Sequence, residues 1–289
     1  MQNLNEKVAV ITGGASGIGL AVAKACAAEG MKLVLADIEA PKLDAVSAEF
    51  QSQNVDVLPL IVDVSNYAEV EDLAQQTLDR FGGVHFVFNN AGVGGGGTTT
   101  WETTLKDWEW TIGVNVMGVI HGIKVFTPIM LAQDEPGYIV NTASIAGLLT
   151  GPTMAAYRLS KHAVVSLSET LYFELEQMNA NVGVSVLCPA WVKTEIHKSE
   201  RIRPKSLANE TAPDFESLSP LLQAQIMSAS HAVENGISPD VVAQHVIEAI
   251  KENRFYILTH PEFTGAIAYR MKDILNGNNP RNLMNPKGK

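Results

Sequence analysis

A rhythm limits what this chain can become more than any single motif does. Six short runs rich in β-branched and other apolar residues, "KVAVIT", "KLVLAD", "VDVLPLIVD", "VHFVFNN", "GYIVNTAS" and "VGVSVLCP", alternate with longer stretches of helical period. Runs without polar alternation suit strands covered on both faces, and strand–helix–strand repetition puts helices on both sides of a parallel sheet. The expected class is α/β, a doubly wound parallel sheet. No Pro/Ser-rich linker, compositional shift or internal repeat divides the 289 residues, 46% of them apolar, so 1–289 is expected to form one domain around a sizeable core. Between Ile196 and Pro239 the rhythm lapses into polar sequence broken by Pro204, Pro213 and Pro220, which predicts a lid-like excursion before the last strand, "RFYILT". Helices are expected over Pro239–Lys251 and Gly265–Leu275, and a frayed tail over 276–289.

In the first repeat the strand passes into a helix through "TGGASGIG", with Gly13, Gly17 and Gly19 at the junction and Ser16 and Ile18 between them. Glycine allows a tight turn and a close approach to a phosphate, while the N–H groups and dipole of the helix start favour an anion. A pyrophosphate would fit. The spacing differs from the common G-x-G-x-x-G dinucleotide fingerprint, and many strand–helix junctions need positive φ, so the turn alone does not decide. Asp37 closes the second strand about twenty residues further on, where an acid can accept hydrogen bonds from adenosine ribose hydroxyls. Its plainer role is to start the turn before Pro41. With the glycine turn granted, the acid would repel a 2′-phosphate. Ala15 and Ser16 stand where a basic residue might have neutralised one, so NAD is expected over NADP.

Tyr157 and Lys161 lie four residues apart in "AAYRLSKHAV", neighbours on a helix face, so phenol and ammonium can share a pocket. Alone, the pair could equally be solvated surface. Together with "TGGASGIG", "NNAG" at Asn89–Gly92, Asn115 in the glycine-loosened "TIGVNVMGVIHGI", and Ser144 thirteen residues before Tyr157, it resembles the short-chain dehydrogenase/reductase family over Lys7–Thr194.

That resemblance implies a Rossmann-type fold and a catalytic set of Asn115, Ser144, Tyr157 and Lys161. An adjacent ammonium stabilises a phenolate, so Lys161 is expected to lower the Tyr157 pKa from near 10. The resemblance also gives Lys161 the nicotinamide ribose and Ser144 the substrate oxygen. Asn115 would hold a water in a proton relay; the other reading is an asparagine satisfied by a nearby carbonyl. Asn90 would line the adenosine side. Asp63 would meet the adenine amino group with Val64 packed nearby, unless it caps the helix of "SNYAEVEDL". Val192 would face the carboxamide through its backbone, and Thr194 would contact the pyrophosphate or the carboxamide. Pro189-Ala190-Trp191 replaces the family's usual Pro-Gly, and no "DGG" stands near the end.

The function expected is NAD(H)-dependent interconversion of a secondary alcohol and a ketone. Leu148, Leu149, Met154 and Trp191 are expected to flank Ser144 and Tyr157, suiting an apolar, aromatic or steroid-like substrate. A catalytically silent NAD-binding sensor or scaffold and an NAD-holding epimerase or dehydratase are the alternatives. A net charge of -10 disfavours nucleic acid or an anionic membrane as partner. No apolar run approaches the roughly 18 residues of a membrane span, and the first residues lack the basic patch of a signal peptide. Cys26 and Cys188, far apart and without metal spacing, read as reduced residues of a cytoplasmic protein. His85, His121, His162, His197 and His260 show no metal spacing either, so no metal is expected. Helices near Trp101–Leu131 and Met154–Met178 are expected to pair in a homodimer or homotetramer.

Overall fold

The computed structural model describes residues 1–95, 97–133, 135–210, 215–217 and 219–283. Among them, seven strands form one parallel sheet: β1 (Val8–Thr12), β2 (Lys32–Asp37), β3 (Val57–Ile61), β4 (Phe86–Asn89), β5 (Gly137–Thr142), β6 (Val182–Cys188) and β7 (Tyr256–Leu258). Their order is β3-β2-β1-β4-β5-β6-β7. The inner strands β1, β4 and β5 are buried at every residue, as unbroken apolar runs require. β3 lies at an edge, where Pro59 and an exposed Ile61 are tolerated because no further strand needs their backbone groups.

The helices are α1 (Gly17–Ala28), α2 (Ala40–Ser52), α3 (Tyr67–Phe81), α4 (Leu105–Ile112), α5 (Gly118–Ala132), α6 (Ala155–Gln177), α7 (Pro220–Glu234), α8 (Pro239–Glu252) and α9 (Thr264–Leu275). Alternate strand residues feed two cores. Ile11, Leu35 and Phe88 pack with Val22, Leu43 and Val246 of α1, α2 and α8 on one side. Val10, Val34 and Val87 pack with Leu73, Phe126 and Leu171 of α3, α5 and α6 on the other. Strand order reverses between β1 and β4, where connections diverge and leave a crevice at the carboxyl ends of the strands.

Three expectations change. α4 and α5 join through a π-helical turn, Gly113–Met117, so Leu105–Ala132 is one stretch of 28 residues, long and apolar enough by composition to cross a bilayer. Here one face of it packs inward, with Trp110, Asn115, His121, Phe126 and Met130 buried. The excursion after β6 begins with short 3-10 turns at Ile196–Ile202 and Lys205–Leu207 but then holds the 15-residue α7. Pro220, read from sequence as a break, is the first residue of α7 behind a Ser219 cap. Pro213 and residues 284–289 lie outside the described residues. Within the expected frayed tail, the described part is tied down: Arg281 pairs with Asp273 and lies 4.2 Å over the Tyr269 ring, and Asn278 N–H donates to the Asp273 carbonyl at 2.9 Å.

Candidate active site

A cavity of about 410 Å³ opens in the crevice at the carboxyl ends of the strands. The segments at the carboxyl ends of β1 to β6 and the first turns of α6 bring to it residues singled out by the sequence. The turn after β1 brings Gly13, Ser16, Gly17 and Ile18, and β2 ends on Asp37. Asp63 and Val64 follow β3, and Asn90 follows β4. Ser144 follows β5, α6 brings Tyr157 and Lys161, and Val192 and Thr194 follow β6.

Backbone geometry explains the glycines. Gly13 and Gly17 have φ of +63° and +53°, a region L side chains rarely adopt. Gly19 does not line the cavity; a Cβ there would sit 2.0 Å from the Gly13 carbonyl oxygen, so its bare Cα lets helix and turn close together. Asp37, 9% exposed, clamps the turn: Oδ2 accepts from Ala15 N–H and Oδ1 from Glu39 N–H, both at 3.0 Å. Asn90 ties the reversal point, its backbone N–H on Thr12 Oγ1 at 2.9 Å and its Nδ2 on the Thr12 carbonyl at 3.1 Å. The cap of α3 is Asn66 rather than Asp63; Asp63 Oδ1 accepts from Ser65 N–H at 2.9 Å, bending the chain one step earlier.

Tyr157 sits in the first turn of α6 with Lys161 one turn on. Lys161 is 3% exposed, and its Nζ donates to the Thr142 carbonyl at 2.9 Å, 5.6 Å from the centre of the Tyr157 ring. Ser144 is fixed by donating to the Pro189 carbonyl at 3.2 Å and accepting from Ala146 N–H at 3.1 Å. The electrostatics correct the sequence reading. Burial pushes the Tyr157 phenol above its ordinary value, against the Ser144 hydroxyl and the Arg158 guanidinium, which pull it down. Burial also pushes the Lys161 ammonium down to about 8, with Cys188 opposing. Loss of hydration outweighs the neighbouring charge that a reading of spacing alone would count.

Asn115 lies inside the π-helical turn, fully buried and off the cavity wall. Its Oδ1 accepts from Val93 N–H at 2.8 Å, and its Nδ2 donates to the Val93 carbonyl at 2.9 Å and to Ser160 Oγ at 3.1 Å. Ser160 Oγ in turn donates to the Tyr157 carbonyl at 2.7 Å. The side chain thus stitches the loop after β4 to the helix that carries Tyr157.

Leu148, Met154 and Trp191 are not among the residues that line the cavity. Leu148 packs against a core cluster with Val164 and Val186, Leu149 is buried, and Met154 takes left-handed backbone just before α6. The apolar walls come instead from Val93, Trp110, Ile202, Leu207 and Val233. No local motif marks these residues, because they meet only once the excursion folds back over α4. Arg203 anchors that fold: it donates to Asp107 at 2.6 Å and stacks 4.2 Å from the Trp110 ring. Among the described residues no three His, Cys, Asp or Glu side chains gather as metal ligands.

With sheet, glycine turn and Ser-Tyr-Lys grouping in place, comparison with known proteins is informative. Residues 7–205 match the model of the short chain dehydrogenases, and the chain belongs to that family. It is 36% identical over 280 residues to a CLA biosynthesis dehydrogenase/reductase of Lactiplantibacillus plantarum, covering 97% of each chain. It is 29% identical to a C alpha-dehydrogenase of a Sphingobium species, covering 95% of this chain and 87% of that one. The crystal structure of a short chain dehydrogenase/reductase from Burkholderia phymatum in complex with NAD superposes with a TM-score of 0.93 at 48% identity, over 97% of this chain and 98% of that one.

Proposed function

We propose that this protein is an NAD-dependent oxidoreductase interconverting a secondary alcohol and a ketone, with Tyr157 as the acid/base. The observation that carries the reading is that one cavity holds Ser144, Tyr157 and Lys161 together with the positive-φ glycine turn and Asp37. The residues fit a dinucleotide. Gly13 and Gly17 leave the backbone bare at the start of α1, and the carboxylate of Asp37 faces the same cavity. NAD, when bound, accepts or supplies the hydride.

The chain's own residues orient the substrate and move the proton. Ser144, held by the Pro189 carbonyl and Ala146 N–H, presents its hydroxyl to the substrate oxygen. Tyr157 takes or returns the proton on that oxygen. At neutral pH Lys161 is still largely charged, because burial lowers its pKa only to about 8. The ammonium therefore supports phenolate character as it develops, while the resting phenol stays protonated. Valine, leucine, isoleucine and tryptophan walls support an apolar or aromatic substrate. In this reading the segment from Ile196 onward acts as a lid. Exposed Leu159 and Phe173 on α6 and Met178 at its C-cap support a homodimer or homotetramer, which light scattering tests, and the buried free Cys26 and Cys188 support a cytoplasmic setting.

The test is a panel of apolar secondary alcohols and ketones with NAD(H) and NADP(H), followed by nicotinamide absorbance. Turnover with NAD is expected; cofactor binding with no hydride transfer to any member would instead favour a catalytically silent scaffold.

A further inference from the structure

Two residues past Asp37, the side chain of Glu39 reaches across the cavity to the excursion, 162 positions away in sequence. Arg201 grips it with two prongs, Nη2 on Oε2 at 2.5 Å and Nε on Oε1 at 3.3 Å. Lys42 Nζ lies 3.2 Å from Glu39 and 2.6 Å from Glu195, and Glu195 lies 3.6 Å from Arg201. Two cations and two carboxylates thus close a ring joining the start of α2, the segment after β6 and the first turn of the excursion. Glu39, Glu195 and Arg201 line the same cavity as Asp37, whose Oδ1 accepts the Glu39 N–H at 3.0 Å. Burial resists ionisation of Glu39, but hydrogen bonds from Arg201 and Lys42 prevail and hold its carboxyl below the ordinary range.

A guanidinium and an ammonium close to an adenosine ribose are what a 2′-phosphate needs, since Arg grips phosphate oxygens bidentately and Lys supplies a point charge. Here both cations are already engaged. We propose that Glu39 is a cofactor-specificity residue that works by withholding Arg201 and Lys42 from a 2′-phosphate, alongside Asp37, which repels one directly. This rests on the reading of the cavity as an NAD site. Glu195 is the reserve partner: with Glu39 neutralised, it alone can still occupy both cations. Full release therefore needs both acids changed. The pair also explains why a cavity with an arginine on its wall can remain an NAD site.

The experiment is calorimetric titration of the wild type, E39Q, E39Q/E195Q and E39Q/E195Q/R201M with NAD, NADP and adenosine 2′,5′-bisphosphate, with circular dichroism melting to confirm folding. The wild type should prefer NAD. NADP should bind at least about tenfold more tightly to E39Q/E195Q than to the wild type, with E39Q in between, as expected for newly available charge-assisted phosphate contacts. R201M should cancel the gain, and adenosine 2′,5′-bisphosphate should follow the same order, placing the effect at the ribose rather than in a loosened lid. If E39Q/E195Q leaves NADP binding unchanged while the wild type prefers NAD, the role of Glu39 is overturned and the NAD reading stands. A wild type that prefers NADP, or binds neither, overturns the NAD reading and this proposal with it.

Discussion

At and beneath the floor of the cavity, Lys161 on its wall and Asn115, Ser160, Asn141 and Ser168 behind it are 3% exposed or less, and each spends polar atoms on partners in β4, β5, α6 or the loop after β4. Across the cleft, the roof over Ile196–Leu207 is held chiefly by ion pairs, several with members a third to half exposed, such as Arg201 with Glu39 and Lys42 with Glu195. The two halves obey different energetics. Buried hydrogen bonds are costly to leave unmade and are scarcely screened by salt, whereas exposed ion pairs contribute little each and weaken as ionic strength rises. A rigid floor can hold reacting groups in register while a loosely fastened roof lets cofactor and substrate pass.

The comparison is broken most severely at Lys161. Replacing it with Met should lower kcat by about a thousandfold, the range of a lost acid/base partner. The same change relieves the cost of an ammonium that burial pushes from 10.5 to about 8, on the order of 3 kcal/mol, but takes the donor from the Thr142 carbonyl, so the net gain in stability near neutral pH should be only about 1 kcal/mol. The sign follows from linkage. Between about pH 8 and 10.5 the unfolded chain holds a proton that the native one has released, so wild-type stability rises with pH through that window while K161M lacks the rise. Denaturant melts at successive pH values read the difference, and equal slopes for the two proteins would contradict the burial of the charge.

Next in size is Asn115→Ala, which strips partners from both the N–H and the carbonyl of Val93, itself 1% exposed. Two orphaned buried groups should cost about 2–4 kcal/mol and lower Tm by roughly 5–10 °C. Calorimetry would show this. In the roof, Arg203→Ala removes a well-buried ion pair, at 5% and 8% side-chain exposure, and the stack on Trp110. Hydrogen exchange should quicken over Ile196–Leu207 more than in α6, with substrate KM rising about tenfold and kcat changing less. The smallest effect belongs to salt. Raising ionic strength from about 0.05 to 0.5 M should speed NADH release two- to threefold in the wild type and leave R201M nearly unchanged, as fluorescence stopped flow would report.

The same division governs what the sequence discloses. The floor is written locally: strands as apolar runs, Asp37 at a strand end, Tyr157 and Lys161 one helical turn apart. The roof is not, because Glu39 and Arg201 or Asp107 and Arg203 are surface-type residues whose pairing depends on how a long excursion returns. Pro220 also misleads unless read with Ser219 before it, since proline interrupts a helix interior but suits its first turn. The π-helical turn at Gly113–Met117 left only extra glycines as a trace. The Tyr157 phenol shows a different limit, because spacing reveals the neighbouring charge while only the folded environment reveals how much water is lost.

The most direct test of the account measures hydride transfer and NAD affinity together in Tyr157→Phe. Phenylalanine keeps the ring beside Lys161 and removes only the hydroxyl proposed to exchange the proton. Single-turnover transfer should fall by at least about a hundredfold while the NAD dissociation constant stays within about threefold. Transfer at the wild-type rate in a variant that still binds NAD would contradict Tyr157 as the acid/base.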